Sequence, residues 1–561
     1  MPVKTIKITL PVALIGIIIG TIVSFLTVGF VSGVKFISGF RESYNSCLSE
    51  SSLVCFSFTP LAFLLISAIV IILVKKTLKI SRYHGPADVI LSAHSPNEEL
   101  EPKTGLLSTF AAFVSASGGA SIGQYGPLVH LGGTIGNIVN RWLPKLLTKD
   151  VFIGCGVAAA ISAGFNSPIG GIIFAHEAIL RHFSFRAIAP IAVSSVVSAT
   201  LADYFFPSGI LFQNTDSNIA LLPSVTLSLF LGPLCAIIAV IFMKSLLGLQ
   251  KNLNKISENE LIRILLAAII CGLIGGFIPE VLGLGGETIV GILDNSYTLS
   301  FIVLILFIKL FVTVICLGLG FFGGVFSPAL VLGAAIGGIF TFGGSLIGIQ
   351  SLGDSLILAG MAALSASVIG APIASIVIIF ELTQSYDLAF VSIICVAGSC
   401  LISSVLFGHS FFDKQLLNRN FKISRGRTEI LLSEIPVKNL LGRNEFLSVK
   451  ADIDHPTLLK IFENSEYTEA YFVDEENRLI GKTRVNSILG ANVQRNIEDT
   501  DPLVINSSSN VSDAILKVSN FVGESIPVVD NAKKLLGVVT EADLFSEYLS
   551  VQDKISEIEK D

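Results

Sequence analysis

Long uncharged stretches dominate the first three quarters of the chain and are separated by short polar segments. Residues 217–243 and 355–380 contain no Asp, Glu, Lys or Arg, and the only one of these in residues 301–350 is Lys309. A helix needs about 20 mainly apolar residues to cross a bilayer, so several of these windows predict membrane-spanning helices. The first apolar run, residues 8–37, is too long for a signal peptide and predicts a retained span.

Two segments that contain glycine and proline repeat within this apolar region. Residues 123–127 (GQYGP) and 324–328 (GVFSP) both have a glycine four residues before a proline, and further glycines follow that proline by five and nine residues. In a second pair, residues 159–177 and 362–381, a glutamate stands nine residues after a proline. The offsets are 201 residues for the first pair and 204 for the second, which indicates a duplicated half.

These repeated segments predict helices that begin inside the membrane. Proline fits the first turn of a helix, and glycine lets the preceding backbone turn sharply. Such irregular backbone is tolerated only where it is buried in protein or lines a cavity, and in transporters the site lies between the repeats. The free N–H groups at a helix start favour an anion. The alternative is that the glycines only allow close helix packing, which fits two matched positions less well.

The last part of the chain is charged and typical of a globular domain. Residues 471–474 with Gly481 recur as residues 527–530 with Gly537, at an offset of 56. Each unit predicts a helix followed by short strands, which we place at residues 470–473, 479–482, 526–529 and 535–539. We therefore divide the chain into an all-α polytopic membrane domain with broken helices, residues 1–428, and a soluble α/β domain, residues 429–561.

Composition and charge exclude several classes of function. Only 14% of the residues are charged, and the net charge of −6 gives no support for a nucleic-acid partner. The eight cysteines stand singly, without the CxxC spacing of a metal site, so we expect no bound metal. No nucleophile–base pair or Walker loop points to an enzyme. Basic residues before the first predicted span and after the last predict cytoplasmic termini, in what we expect to be the plasma (inner) membrane.

At these motifs the sequence closely resembles the CLC family of chloride channels and transporters. Residues 123–127 match its G(R/K)EGP segment, residues 324–328 match GxFxP, and residues 83–88 (YHGPAD) are more loosely similar to GSGIPE. Residues 410–415 stand where the family has its last pore helix. The resemblance implies a homodimer of inverted-repeat subunits in membrane lipid, each with a pathway for chloride or another small anion. The pathway residues that it implies are His84, Gly85, Gly123, Gln124, Tyr125, Gly126, Pro127, Gly324, Val325, Phe326, Ser327, Pro328 and Phe412.

The sequence departs from the family where protons are carried. The family's gating glutamate, which is also its outer proton carrier, is replaced by Tyr125, and its inner proton glutamate is replaced by Ala178. A phenol stays neutral at ordinary pH, so Tyr125 is expected to act as a neutral plug, as an anion ligand or as a side chain packed aside. Glu177 matches a glutamate found in channels and exchangers alike, and we interpret it as structural.

Two further positions lose a hydroxyl donor. The family's central tyrosine of the last helix appears as Phe412, and its serine of GSGIPE falls at His84. With amide and aromatic contacts dominating, we expect a shift in preference towards larger, weakly hydrated anions. Histidine can relay protons inside a membrane, so a substitute route through His130, His176 and Glu177 is the alternative to their simple packing.

The tail resembles a tandem pair of CBS repeats. In the second repeat, residues 537–543 fit the family's nucleotide-contact segment, in which Thr540 would bind a phosphate and Asp543 the ribose hydroxyls. In the first repeat Arg484 and Ser487 occupy these two places. The resemblance therefore implies at most one adenine-nucleotide site, and the alternative is a dimerising module without a ligand. No cofactor is expected to be required.

We predict passive transport of chloride or a similar small anion, gated at Tyr125. One alternative is a proton-coupled chloride exchanger with a non-standard proton route. The alternative from a different class is a non-conducting membrane sensor that reads nucleotide through the CBS pair.

Overall fold

A computed structural model describes residues 2–43, 56–95, 98–143, 146–206, 219–349, 352–419, 421, 427–489 and 496–560. The chain forms two compact units, Met1–Phe421 and Lys422–Asp561.

The first unit is helical and contains two series of helices. The first series is α1 (Pro2–Ser43), α2 (Thr59–Thr77), α3 (Pro86–His94), α4 (Pro102–Ser117), α5 (Tyr125–Trp142), α6 (Lys149–Phe165), α7 (Pro168–Phe174) with a π-helical turn (Ala175–Leu180), and α8 (Phe185–Phe205). The second is α9 (Leu221–Lys251), α10 (Leu253–Ile256), α11 (Glu260–Phe277) with a 3-10 turn (Pro279–Val281), α12 (Gly286–Leu293), α13 (Leu299–Leu319), α14 (Phe326–Leu346), α15 (Ser355–Ile369), α16 (Pro372–Thr383) and α17 (Tyr386–Leu406). A short helix, α18 (Phe411–Leu417), closes the unit.

Eight helices among the described residues are long and apolar enough to cross a membrane. They include α1, which contains the predicted first span, and α9, which contains most of the uncharged window at residues 217–243. Residues 301–350, with Lys309 as their one charged residue, form α13 and α14. Helix α15 has only 15 residues and is buried along its length, so the uncharged window at residues 355–380 forms two short helices rather than one span.

The two series repeat one arrangement, which confirms the predicted duplication. Helix α6 packs against both α5 and α8, as α15 packs against both α14 and α17. Helices α6 and α15 both end in a left-handed residue, Asn166 with φ 52° and Gly370 with φ 79°, just before the proline that starts the next helix.

Glycines hold the central helix pair of each half in close contact. A Cβ on Gly132 of α5 would overlap the carbonyl oxygen of Gly156 on α6, and a Cβ on Gly156 would overlap that of Gly132. In the second half, a Cβ on Gly333 of α14 would likewise overlap the carbonyl oxygen of Gly360 on α15, and a Cβ on Gly360 would overlap that of Gly333. Gly132 and Gly333 are the glycines that follow the motif prolines by five residues, so part of the repeated pattern serves helix packing.

The second unit contains two sheets with the same topology. In the first, β1 (Leu447–Lys450) pairs parallel with β2 (Glu469–Val473), which pairs antiparallel with β3 (Leu479–Arg484). In the second, β4 (Ile505–Asn506), β5 (Ile526–Val529) and β6 (Leu535–Val539) repeat this order. The four predicted strands correspond to β2, β3, β5 and β6, whereas β1 and β4 were not predicted. The helices of this unit are α19 (Arg427–Glu434), α20 (His455–Glu463), α21 (Val485–Ile488), α22 (Val511–Val518) and α23 (Glu541–Lys560), with a 3-10 turn at Val437–Leu440.

A buried tyrosine links the two repeats of this unit. The hydroxyl of Tyr471 on β2 donates to the carbonyl oxygen of Ser525, just before β5, at 2.8 Å. Burial raises the pKa of this hydroxyl above its ordinary value, because the phenolate would lose its hydration.

Candidate functional site: the meeting point of the broken helices

The two repeated motifs pair with each other. Gly123 and Gly324 form an isolated antiparallel bridge in which the N–H of each donates to the carbonyl oxygen of the other, at 2.7 and 2.6 Å. Antiparallel pairing of two equivalent residues is what a two-fold axis perpendicular to the chain produces. The bridge therefore lies on the pseudo-symmetry axis of an inverted repeat, where transporters of this architecture place their site.

Helices α5 and α14 begin immediately after this bridge. Their N-cap residues, Gln124 and Val325, make no side-chain capping hydrogen bond. The first turn of each helix therefore keeps backbone N–H groups that no capping side chain occupies, together with the positive end of the helix dipole. In the described part of the chain, the buried atoms Gln124 Oε1 and Ser327 Oγ also lack a hydrogen-bond partner.

A third helix start approaches the same place. A Cβ built on Gly126 would lie 3.0 Å from the Cα of Gly324 and 3.5 Å from the Cγ of Pro86, the first residue of α3. The site thus brings together the predicted segments 83–88, 123–127 and 324–328. Pro127 and Pro328 are buried in the first turns of their helices, and Gly85 is the N-cap residue of α3.

Tyr125 lies in a cluster of three aromatic rings. Its ring stacks on Phe165 with centroids 3.6 Å apart and meets Phe326 edge-on at 5.3 Å. Its hydroxyl donates to the carbonyl oxygen of Gly164 over a long 3.4 Å. The stacking of Tyr125 on Phe165 was not predicted. The sequence signal that could have indicated it is an aromatic residue immediately before Asn166, the left-handed residue that ends α6. The geometry favours a packed ring beside the first turn of α14 over a hydroxyl directed at an anion, and the gate remains a prediction.

His84 and His130 lie beside each other between α3 and α5. Their ring centroids are 5.9 Å apart with the planes at 88°, and both ring nitrogens of His130 are buried without a hydrogen-bond partner among the described residues. His130 therefore donates no direct hydrogen bond to His176, whose Nδ1 is 2.9 Å from the carbonyl oxygen of His182. His176 also stacks on Phe183. The structure brings together a different histidine pair from the predicted relay.

The side chain of Glu177 is hydrogen-bonded to main-chain N–H groups. Its carboxylate accepts hydrogen bonds from the N–H groups of Ile373 at 3.0 Å and Ala374 at 2.7 Å, in the first turn of α16. A carboxylate that caps a helix start is held in place by these hydrogen bonds. This arrangement supports the interpretation of Glu177 as structural.

Phe412 lies on α18, which contacts α3 and α15. Two ion pairs fix this helix: Asp413 with Arg181, and Arg419, just beyond its end, with Asp88 of α3 at 2.9 Å. Asp88 also accepts from Arg82 at 2.5 Å, so one carboxylate binds two guanidinium groups. This cluster, which has a net charge of +1, was not predicted.

The family model described as "Voltage gated chloride channel" matches residues 63–404, well over half of the chain. The chain belongs to this family, the CLC family.

Relatives agree with this assignment. The chain is 29% identical over 339 residues to the "H(+)/Cl(-) exchange transporter ClcA" of Vibrio parahaemolyticus, which covers 57% of this chain and 71% of that protein. It is 28% identical to a "Putative chloride channel protein ClcB-like" of Ralstonia nicotianae, covering 53% of this chain and 72% of the relative.

Solved structures show the same fold. A slow cyanobacterial Cl-/H+ antiporter matches with a TM-score of 0.66 and 20% identity over 74% of this chain and 99% of its own. A eukaryotic CLC transporter matches with a TM-score of 0.63 and 17% identity over 95% of this chain and 98% of its own.

The CLC tail contains the second candidate site. A CBS domain model matches residues 495–550, which include the second repeat. Here Asp543 Oδ2 accepts from the N–H and the hydroxyl of Thr540, at 2.8 and 2.7 Å, and from the Asn444 amide at 2.5 Å. The two predicted nucleotide contacts are therefore adjacent and bonded to each other. In the first repeat, Arg484 is bonded to Glu469 and to the carbonyl oxygen of Val522, which leaves the second repeat as the candidate.

Proposed function

We propose that this CLC protein transports chloride or a similar small anion through the meeting point of α3, α5 and α14. The observation that supports it most strongly is the bridge between Gly123 and Gly324, which places two helix starts without side-chain caps next to each other. Backbone N–H groups at such starts bind anions without a fixed cationic ligand, so the anion can also leave.

The residues at this site favour passive movement of the anion. Tyr125 and Ala178 stand where the family's exchangers have their two proton-carrying glutamates, and the nearby Glu177 is bonded to backbone N–H groups. A side chain that moves protons has to change its protonation state during transport, and a phenol and a methyl group do not do so at ordinary pH.

Proton-coupled exchange is the second candidate, and the comparisons favour it over passive transport. The Vibrio relatives are named H(+)/Cl(-) exchange transporters, and one structural neighbour is a CLC-type fluoride/proton antiporter. In this chain the coupling would have to use other groups, such as the histidines or Glu177, since the family's two proton-carrying carboxylates are replaced. A non-conducting sensor is the third candidate, and the efflux experiment described next distinguishes it from the other two.

The test is chloride efflux from proteoliposomes with the external pH recorded. Efflux without proton movement would support the passive pathway. Uphill proton movement driven by the chloride gradient would establish exchange and contradict passive transport. Absence of efflux in both the apo and the nucleotide-bound protein would contradict transport and favour the sensor.

We also propose that the protein functions as a homodimer in membrane lipid with both termini in the cytoplasm. Basic residues after the last span support this orientation, and accessibility of introduced cysteines near residue 421 to a membrane-impermeant reagent would test it.

A further inference from the structure

His130 lies on the face of α5 that packs against α3. Gly126, His130 and Gly133 follow one another at intervals of four and three residues, so they share one helix face. Gly126 faces Pro86 and Gly133 faces Val89, both on α3. Between them, the imidazole of His130 is only 1% exposed, and neither of its nitrogens has a hydrogen-bond partner within the described segments.

His84 faces this imidazole from the segment before α3. Its backbone N–H donates to Ser108 Oγ at 2.9 Å, which fixes the main chain against α4. Its ring meets that of His130 edge-to-face with centroids 5.9 Å apart. The Nδ1 atom of His84 is also buried and has no partner among the described residues.

The three buried ring nitrogens of this pair need a small polar occupant. Every imidazole has at least one N–H donor, and a buried donor without an acceptor is costly. Three helix starts converge beside the pair, at Pro86, Tyr125 and Phe326. The start of α3 already has a capping carboxylate, Asp88, whereas α5 and α14 have no side-chain cap and their dipoles favour a negative charge.

The charged side chains around the pair cancel one another. Asp88 and Arg82 interact electrostatically with both rings, and Arg419 and Glu101 interact with that of His84. Asp88 is paired with both arginines, and Glu101 accepts from the hydroxyl of Thr104 at 2.5 Å. Helix α14 has no titratable side chain. The arginines and carboxylates around the pair balance, and neither carboxylate is bonded to the histidines.

We propose that His84 and His130 together bind one small anion and one proton, as a neutral pair. The proton comes from solvent and attaches to a free ring nitrogen, and the anion accepts the hydrogen bonds of the resulting imidazolium and of the second ring. Either charge alone would be expensive to bury, whereas the two together cancel. By linkage, the proton must then strengthen anion binding by the same factor as the anion strengthens proton binding.

This inference rests on the proposed function, since the anion reaches the pair through the same pathway. It also supplies the protonatable group that the family's missing carboxylates would otherwise provide. It differs from the predicted relay because it needs neither His176 nor Glu177.

The experiment measures proton uptake when chloride binds. Sodium chloride is added to the full chain in detergent, in weakly buffered solution at about pH 6.5, with sodium gluconate as the reference salt. We expect chloride-dependent uptake approaching about one proton per chain at saturation. Calorimetric titration with chloride should give an affinity that falls at least severalfold between about pH 5.5 and pH 8.

His84→Gln, His130→Gln and the double variant should abolish the uptake and flatten the pH dependence. His94→Gln is the matched control, because His94 is a buried histidine on α3 whose Nε2 lies 3.0 Å from the carbonyl oxygen of Ile179, which a glutamine amide can also reach. That variant should retain the uptake. Size-exclusion profiles show whether each variant is folded.

Absence of chloride-dependent uptake in the unmodified protein would overturn the inference without any variant, as would full uptake in the double variant. The experiments can contradict the transport function and the histidine site independently of each other. Uptake without chloride efflux from proteoliposomes would leave the histidine site in place and contradict transport. Efflux without uptake would contradict the histidine site alone.

Discussion

Glu177 and Glu381 occupy equivalent positions in the two repeats, and each caps the first turn of a helix in the opposite repeat. Glu177 accepts from the N–H groups of Ile373 and Ala374, and Glu381 accepts from those of Ile169 and Gly170, at 2.9 and 2.8 Å. Glu381 also accepts from the Ser167 hydroxyl. These reciprocal hydrogen bonds hold α7 and α16 together, and each half of the protein supplies one of the two carboxylates.

Replacing either glutamate with alanine should destabilise the protein. Each substitution removes two hydrogen bonds from backbone N–H groups to a carboxylate and leaves both N–H groups unpaired, which should cost about 3 kcal/mol. Glu381→Ala also removes the hydrogen bond from the Ser167 hydroxyl. The measurement is the midpoint of thermal loss of the folded peak in size-exclusion chromatography of the detergent-solubilised chain. Glu99→Ala is the control, because Glu99 pairs with Arg141 at the surface and should matter little.

The same variants also test the role of Glu177 in coupling. A Glu177→Ala protein as stable as the parent, but with altered proton movement during chloride efflux, would contradict the structural role and make Glu177 a proton carrier.

The sequence predicted the duplication because its signals are local. Glycine four residues before proline and glutamate nine residues after proline are readable from spacing alone, and the helix starts and the two equivalent glutamates follow from them. The partners of these residues could not be predicted. Glu177 binds backbone N–H groups almost two hundred residues away, and backbone groups leave no signature in a sequence.

The histidines illustrate the same limit. His130 and His176 were linked by their proximity to the two motifs, whereas His84 faces His130 because α3 packs against α5. In the tail, β2, β3, β5 and β6 were predicted because their apolar runs recur at one offset. Strand β4 has only two residues, too few to give a pattern.

Removing the ring of Tyr125 should increase anion flux. The ring fills the space beside Phe165 and Phe326, next to the first turn of α14, so Tyr125→Ala should raise chloride efflux about tenfold, equivalent to about 1.4 kcal/mol in the barrier. Tyr125→Phe should behave like the parent, because it keeps the stacking and loses only the long hydroxyl contact with Gly164.

Tyr204→Ala is the control for these flux measurements, since Tyr204 is 78% exposed at the end of α8. A Tyr125→Phe protein whose flux or anion selectivity changed as much as that of Tyr125→Ala would show that the hydroxyl contacts the anion.

A methyl group at Gly156 or Gly360 should prevent close packing of the central helices. In both cases the added Cβ would overlap a backbone carbonyl oxygen, that of Gly132 or of Gly333, and backbone cannot move aside as a side chain can. Each alanine variant should lose about 1–3 kcal/mol or more, seen as a lower thermal midpoint or a lower yield of folded protein. Gly248→Ala is the matched control on α9, because its Cβ would meet nothing within 4 Å. Equal stability of the three variants would contradict the close contact.

An adenine nucleotide bound by the CBS tail should act through Asp543. Its carboxylate already accepts from Thr540 and from Asn444, so a ribose would have to replace the Asn444 amide. With AMP or ATP at about 100 times its dissociation constant, we expect the tail to gain about 2.7 kcal/mol in stability, measured as a shift of its unfolding midpoint in the full chain. Asp543→Ala should remove this shift, compared with its own ligand-free midpoint. Ser487→Ala, at the equivalent place in the first repeat, should keep it. If neither nucleotide moves the midpoint of the unmodified protein, the tail is a module without this ligand.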